Sequence, residues 1–153
     1  AEVVYDWPFG LSLQVNGLLS DSRVKNPNPD FGAPITEDLP GVPGVSGGML
    51  AAYEHRLPGD FTLRLVAEAS YVGRSTLTFD ASQGQRMGHY LRAQLSAEVA
   101  TDRWRLMAYV SNPFDDEGDT FAYGNPFSFS QQGVRQATPQ RPRTVGLRLG
   151  AAF

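Results

Sequence analysis

The residue types that could support catalysis are few in this chain and are not spaced for it. His55 and His89 are the only histidines among 153 residues, and cysteine is absent. Neither histidine has a second ligand at a zinc-binding spacing, so we interpret both as ordinary surface residues. The sequence also lacks a nucleophile elbow and a glycine-rich phosphate loop. We therefore predict no catalytic, metal-binding or cofactor-binding residue, and a protein that is not an enzyme.

Two acidic features have alternative interpretations. Glu68 and Glu98 could form a carboxylate pair for acid–base chemistry. Three arginines in the same alternating segments favour salt bridges instead: Arg64, Arg92 and Arg105.

The run "DDEGD" at Asp115–Asp119 resembles a calcium loop in composition. It lacks the twelve-residue spacing and the closing glutamate, so we interpret it as a solvated loop.

Composition narrows the class of protein further. The formal net charge of -3 gives no electrostatic reason to bind nucleic acid. No run of about 18 apolar residues occurs, which excludes a transmembrane helix, and the first ten residues lack a signal-peptide pattern. Transmembrane strands need only about 9–11 residues of alternating polarity, so a membrane barrel is still allowed. A chain of this length is expected to form one domain, residues 1–153.

Period-two alternation is the main structural signal, because polar and apolar residues alternate along most of the chain. Five segments show it clearly: 11–20, 61–73, 90–100, 104–111 and 144–153. Two further segments, 2–7 and 47–57, show it more weakly. No apolar pattern of helical period extends over three turns. The sequence therefore predicts an all-β fold with about six to seven strands.

The connections between these segments alternate between short and long. Tight turns are predicted at 7–10, 57–60 and 100–103, and long polar connections at 21–44, 75–86 and 113–141. This order predicts an antiparallel up-and-down meander with all tight turns at one end. Outer-membrane barrels show the same asymmetry, with short periplasmic turns and long extracellular loops. The meander is therefore predicted to be part of a transmembrane β-barrel.

Turn length fixes the predicted register of two hairpins. A three-residue loop of Pro58, Gly59 and Asp60, with Gly59 in a left-handed conformation, keeps apolar residues on one face. It pairs Leu57 with Phe61 and Glu54 with Arg64. In the second hairpin we predict a two-residue loop of Thr101 and Asp102. This loop places Glu98 opposite Arg105 and Val99 opposite Trp104.

The two predicted faces differ in a way that favours lipid outside and water inside. The apolar face is mainly Leu, Ala and Val, with an aromatic girdle at the turn end of its strands formed by Phe61, Trp104 and Phe153. The other face carries bulky polar groups that would line a lumen: Arg64, Glu68, Arg92, Gln94, Glu98, Arg105 and Arg148. A soluble antiparallel barrel with a charged exterior is the alternative that the same alternation allows.

The last third of the chain resembles the C-terminal end of TonB-dependent outer-membrane receptors. "NPFD" at Asn112–Asp115 is similar to the Asn-Leu-Phe-Asp element that closes the penultimate strand, with Pro113 in the Leu position. "GDTFAYGNPFS" followed by "PRT" is similar to the last extracellular loop of many members. "TVGLRLGAAF" resembles the final strand with its terminal aromatic residue. The resemblance is specific in the last 50 residues and rests on pattern alone before residue 86.

The resemblance implies a barrel of 22 strands around a plug, and uptake of a siderophore or another scarce nutrient driven by TonB. No plug and no TonB-contacting motif is visible in this sequence, so we interpret it as the C-terminal part of such a receptor barrel. The implied location is the outer membrane of a Gram-negative bacterium. The implied partners are outer-membrane lipid, the barrel-assembly machinery and TonB, the last only through a plug that is not visible in this sequence. In the family the assembly machinery recognises the terminal Phe, and Phe153 occupies that position here. The ligand cannot be chosen from the residues.

Two other functions remain as alternatives. A small structural or adhesive outer-membrane barrel would need eight strands, and residues 21–44 would have to supply the missing one. That region is rich in proline, which opposes a central strand. A soluble β-barrel that binds an apolar ligand would need its apolar face turned inward.

Overall fold

The computed structural model describes residues 1–26, 28, 30, 37–79, 86–123 and 136–151. Regular structure in these residues is β-strand, with no α-helix. In this part of the chain no helix has the length and apolar character needed to cross a membrane. The all-β prediction is therefore confirmed for the described residues.

Eleven strands make up the described structure, and their bounds follow in chain order: β1 Glu2–Asp6, β2 Leu11–Leu19, β3 Val45–Leu57, β4 Phe61–Val72, β5 Ser75–Thr76, β6 Arg86–Met87, β7 Tyr90–Ala100, β8 Trp104–Ser111, β9 Asp119–Tyr123, β10 Gln136–Pro139 and β11 Thr144–Ala151. Five of the seven long strands coincide closely with the clearly alternating segments. The two weaker segments are also strands, and β3 is the longest of all.

Seven strands form one antiparallel sheet in the order β1-β2-β3-β4-β7-β8-β11. Each strand pairs with its predecessor along the sheet, so the predicted up-and-down meander is confirmed. The other four strands form two small hairpins, β5–β6 and β9–β10, within connections predicted as long polar loops. β1 and β11 lie at opposite edges, and the sheet of the described strands does not close.

The turn between β3 and β4 follows the prediction. Leu57 pairs with Phe61, and Glu54 pairs with Arg64. Gly59 and Asp60 both take positive φ angles, 82° and 61°. Glycine and aspartate tolerate this left-handed conformation, so the three-residue loop closes the hairpin without moving apolar residues to the wrong face.

The predicted register of the β7–β8 hairpin is wrong by two residues. Ala100 pairs with Arg105, Val99 with Leu106 and Glu98 with Met107. The loop lies one residue further along the chain, at Asp102 and Arg103, and the Thr101 hydroxyl accepts hydrogen bonds from the backbone N–H groups of Arg103 and Trp104, each at 3.3 Å. The Thr101 N–H donates to the Trp104 carbonyl at 2.8 Å. A shift of two residues keeps every side chain on its predicted face.

The apolar face of the sheet is open. The apolar face, defined by register, includes these large side chains: Val3, Tyr5, Val15, Met49, Leu65, Leu95, Leu106, Val145, Leu147 and Leu149, all exposed. Leu95 and Leu106 are 44% exposed and Leu147 is 76% exposed. Among described residues, side chains that are more than nine-tenths buried lie at the loop end, opposite the tight turns: Ser75, Leu77, Thr78, Tyr90 and Asn112. The main sheet therefore has no enclosed core.

Candidate functional site

The seven predicted lumen residues share one face of the sheet, here called the polar face. Register places them in four rows across the strands. Arg92 lies beside Ser70, and Glu68 lies beside Gln94. Arg64, Glu98 and Arg148 share a row through Met107, and Arg105 lies beside Ala100 in the fourth row. Six of them are exposed and Glu98 is half-buried. That this face lines a lumen stays a prediction.

Arg64 has an acidic neighbour on each side. Its Nη2 lies 2.7 Å from Glu54 Oε2 on β3, and its Nε donates to the same oxygen at 3.2 Å. On the other side, Glu98 on β7 is the cross-strand partner of Arg64. The predicted neighbour of Glu98 was Arg105, and the displaced β7–β8 turn explains why Glu98 pairs with Met107 instead. Glu68 and Glu98 lie in different rows, which gives no support to a catalytic carboxylate pair.

Two residues of the predicted girdle, Phe61 and Trp104, lie at the turn end of the apolar face. The rings of Phe61 and Trp104 meet edge to face, with centroids 5.8 Å apart. Trp7, in the first tight turn, contacts the Tyr5 ring edge to face at 4.5 Å. Phe153, the third predicted girdle residue and the predicted assembly signal, lies outside the described residues.

An open cavity of about 790 Å³ lies at the loop end, between the polar face and the β9–β10 hairpin. Glu68, Arg92 and Gln94 line it on the sheet side, and Thr120 and Thr138 line it on the hairpin side. The lining is polar, with basic and acidic groups together. This cavity brings three of the predicted lumen residues together around one space.

The sequence interpretation missed the structure that joins this hairpin to the sheet. Asn112 follows β8, is 6% exposed and has a positive φ of 49°. Its Nδ2 donates to the backbone carbonyls of Asp116 and Arg141, at 3.0 and 2.9 Å. Its Oδ1 accepts the Asp116 N–H at 2.9 Å. Both polar atoms of the Asn112 amide are thus satisfied, as a buried polar group requires.

Asp115 and Asp116 extend the same network. The interpretation of 115–119 as a solvated loop holds for Asp115 and Glu117, which are exposed, but not for Asp116, which is half-buried, or Asp119, which begins β9. The Asp116 carboxylate accepts the N–H groups of Leu91 at 3.3 Å and Gly118 at 2.9 Å. Asp115 accepts the Arg143 N–H at 2.8 Å. These carboxylates bind the backbone of β7 and of the segments around β9 and β11. The available signal was the Asn-Pro dipeptide, since Asn and Asp side chains favour turns in which they bond to nearby backbone.

Gln140 and Gly118 complete this region, which we call the corner: residues 112–118 together with Gln140. The Gln140 Nε2 donates to the Leu91 carbonyl at 3.0 Å and to the Asp116 carbonyl at 3.2 Å. Gly118 passes so close to Tyr90 that an added Cβ would lie 2.2 Å from the Tyr90 Cβ. Only glycine fits at this crossing without a shift of the backbone or of Tyr90.

The histidines and acidic residues do not assemble a metal site in the described residues. No group of three or more His, Cys, Asp or Glu side chains there is arranged to hold a metal ion. His55 is exposed, and its ring stacks with Tyr53 at 6.0 Å. His89 Nδ1 lies 3.0 Å from the Tyr71 hydroxyl. Both contacts are those of surface side chains.

A second cavity, of about 320 Å³, lies among the loop-end segments. Its lining includes Asp21, Asp38, Arg74 and Arg86. Nearby, a hydrogen bond to Asp21 and the charge of that carboxylate raise the pKa of Arg23. Paired charges of both signs give this region no net preference for a charged ligand.

No protein-family model matches the chain, and no curated protein or solved structure matches it either. The resemblance to TonB-dependent receptors therefore rests on the segments quoted from the sequence.

Proposed function

We propose that this chain forms part of the wall of an outer-membrane barrel, in a receptor of the TonB-dependent class that takes up a scarce nutrient. The observation that carries the proposal is the apolar face. It runs across all seven strands of the sheet and remains exposed at Leu95, Leu106 and Leu147. An exposed apolar surface of this extent needs a partner, and lipid is the partner that alternating strands of a barrel wall face.

The opposite face supports the same proposal. It carries the Glu54–Arg64 pair and six further charged or amide groups, which suit a hydrated interior. Ring contacts at the turn end, such as Phe61 with Trp104, fit the aromatic belt of a membrane interface. The long connections, with their two small hairpins, would lie on the extracellular side.

The two open edges of the sheet indicate that this chain forms only part of the proposed barrel wall. Strands β1 and β11 each have one side without a strand partner among the described residues. Unpaired backbone groups are costly in a bilayer, so both edges would pair with further strands, which a second copy of the chain can supply when this chain is alone in a membrane. In the proposed receptor, outer loops capture the nutrient and a plug moved by TonB releases it. This chain supplies wall and loops.

The two alternatives have less support. In the described parts of residues 20–44, pairing is limited to an isolated bridge between Arg23 and Asp38, which does not provide an eighth strand. A soluble barrel that binds an apolar ligand requires an enclosed apolar interior, and the apolar face of this sheet is open.

Fractionation of cells tests the proposal. We would express the chain behind a secretion signal in a Gram-negative host and separate soluble, inner-membrane and outer-membrane fractions. The expected result is recovery with the outer membrane, resistant to a carbonate wash and released by detergent. Recovery as a monodisperse soluble monomer without detergent would contradict the proposal.

A further inference from the structure

The β9–β10 hairpin forms one wall of the larger cavity, yet it is not a strand of the main sheet. Its two legs leave the sheet at the corner, where residue 116 precedes β9 and residue 141 follows β10. The position of the hairpin over the polar face therefore depends on what holds these two legs, together with the bridge between Asp119 of β9 and Gly88.

One side chain binds both legs. The Asn112 Nδ2 donates to the carbonyl of Asp116 on the entering leg and to the carbonyl of Arg141 on the leaving leg. Asn112 is itself fixed at the end of β8, because its backbone N–H donates to the Ala93 carbonyl of β7 at 2.8 Å. The amide thus connects two neighbouring sheet strands to the hairpin.

Gln140 makes a second connection from the leaving leg. Its Nε2 reaches the Leu91 carbonyl at the start of β7, and its backbone N–H donates to the Gly118 carbonyl at 3.1 Å. On the entering leg, the Asp116 carboxylate accepts a hydrogen bond from the Leu91 N–H of β7. Both legs are therefore bound to the same end of β7.

We propose that Asn112 and Gln140 act as a clamp that fixes the β9–β10 hairpin over the polar face and so sets the opening of the cavity. The clamp positions the wall and need not contact any ligand. This inference rests on the hydrogen bonds of the corner and does not depend on the proposed function. Its failure would leave the assignment of the apolar face to lipid untouched.

A distance measurement between spin labels tests the clamp, since the chain has no native cysteine to remove. Labels are placed on the two sides of the cavity by Gln94→Cys on the sheet and Thr138→Cys on the hairpin. The full chain is studied in detergent micelles by pulsed electron paramagnetic resonance. With Asn112 intact we expect one narrow distance distribution. Asn112→Ala is expected to widen it about twofold or more, because the side chain that holds both legs is lost and local opening of the hairpin then costs less free energy.

Asn112→Asp separates the clamp from a simple turn role. Aspartate tolerates the positive φ and keeps an acceptor for the Asp116 N–H, but it loses both Nδ2 donations. The clamp predicts that Asn112→Asp widens the distribution as much as alanine does. The inference would be overturned if Asn112→Asp or Asn112→Ala gave a distance distribution as narrow as that of the chain with Asn112 intact.

Two controls keep the result interpretable. Asn16→Ala changes an exposed asparagine of β2 and is expected to leave the distribution unchanged. A second label pair, Ser12→Cys with Ser96→Cys, reports the sheet alone and should not widen in the Asn112 variants. If Asn112→Ala disturbs the sheet pair as well, Gln140→Ala decides: widening across the cavity supports the clamp, and no change contradicts it.

Discussion

The main sheet and the corner differ in how far hydrogen bonds and burial within the chain satisfy their polar groups and cover their apolar surface. The sheet pairs its backbone internally but leaves its apolar face and both edges open. The corner buries Asn112 and Tyr90 and satisfies the Asn112 amide from within the chain. The sheet therefore needs an environment or a partner to complete it, whereas the corner satisfies the Asn112 amide from within the chain and leaves one buried acceptor, the Gln140 Oε1, without a hydrogen-bond partner. The effect of a substitution on the free energy of unfolding should therefore depend strongly on the surrounding medium in the sheet, and only weakly in the corner.

The largest expected effect is a charge on the apolar face. Leu95→Arg places a guanidinium at the middle of β7, between Ala67 and Val110. In lipid vesicles we expect a loss of about 2–4 kcal/mol in the free energy of unfolding, because an arginine at the midplane must leave water. Urea titration of the folded chain in vesicles, followed by tryptophan fluorescence, measures it.

The matched control is the neighbouring residue on the opposite face. Gln94→Arg adds the same side chain beside Glu68, where it stays hydrated. We expect a change within about 0.5 kcal/mol, as for an ordinary surface substitution. Equal tolerance of arginine at both positions would mean that the two faces meet the same medium, against our account.

A close approach in the corner gives the next effect. Gly118→Ala adds a Cβ within 2.2 Å of the Tyr90 Cβ, so the backbone or Tyr90 must shift. We expect a loss of about 1–3 kcal/mol, typical of overpacking, and the same loss in micelles and in vesicles. Gly17→Ala, where the nearest atom lies 4.0 Å away, should be neutral. A loss at Gly118 that changes with the medium would remove the distinction between the two regions.

The β7–β8 turn should show a smaller effect. Thr101→Ala removes the hydroxyl that accepts two backbone N–H groups. The expected loss is about 0.5–1.5 kcal/mol, the usual net value for a hydrogen bond. Thr101→Ser keeps the hydroxyl and should restore most of the stability in the same urea titration. If serine were as damaging as alanine, the hydroxyl would not be what stabilises this turn.

The smallest effect concerns the Glu54–Arg64 pair. Both side chains are more than half exposed, so water screens their attraction. A double-mutant cycle with Glu54→Gln and Arg64→Gln should give a coupling of about 0.2–1 kcal/mol, reduced by added salt. A coupling of several kcal/mol, insensitive to salt, would indicate that the polar face is dry.

The sheet could be predicted from sequence because alternation is a local property of each strand. The residues of β4 and β7 show their faces without knowledge of their neighbours. The β3–β4 register also followed, because Pro58 and Gly59 specify one turn. The β7–β8 register did not, since the Thr101 hydroxyl stabilises a turn one residue further along the chain and a register shift of two residues leaves the faces unchanged.

The corner could not be predicted because its bonds join residues far apart in the chain. Asn112 reaches Arg141, and Gln140 reaches Leu91. The sequence around Asn112 indicates a turn but not its distant partners. Likewise, the predicted lumen residues share a face by alternation alone, but their gathering around the cavity depends on where the β9–β10 hairpin lies.

The depth of Trp104 in a bilayer tests the central claim most directly. The chain has two tryptophans, so Trp7→Phe leaves Trp104 as the sole indole emitter. The variant is folded into phosphatidylcholine vesicles whose acyl chains carry bromine, a contact quencher, either near the headgroup or near the chain end. We predict strong quenching by the shallow bromines and weaker quenching by the deep ones, as for an interfacial aromatic residue. Trp104 emission that is the same in brominated and plain vesicles would contradict a lipid-facing apolar surface.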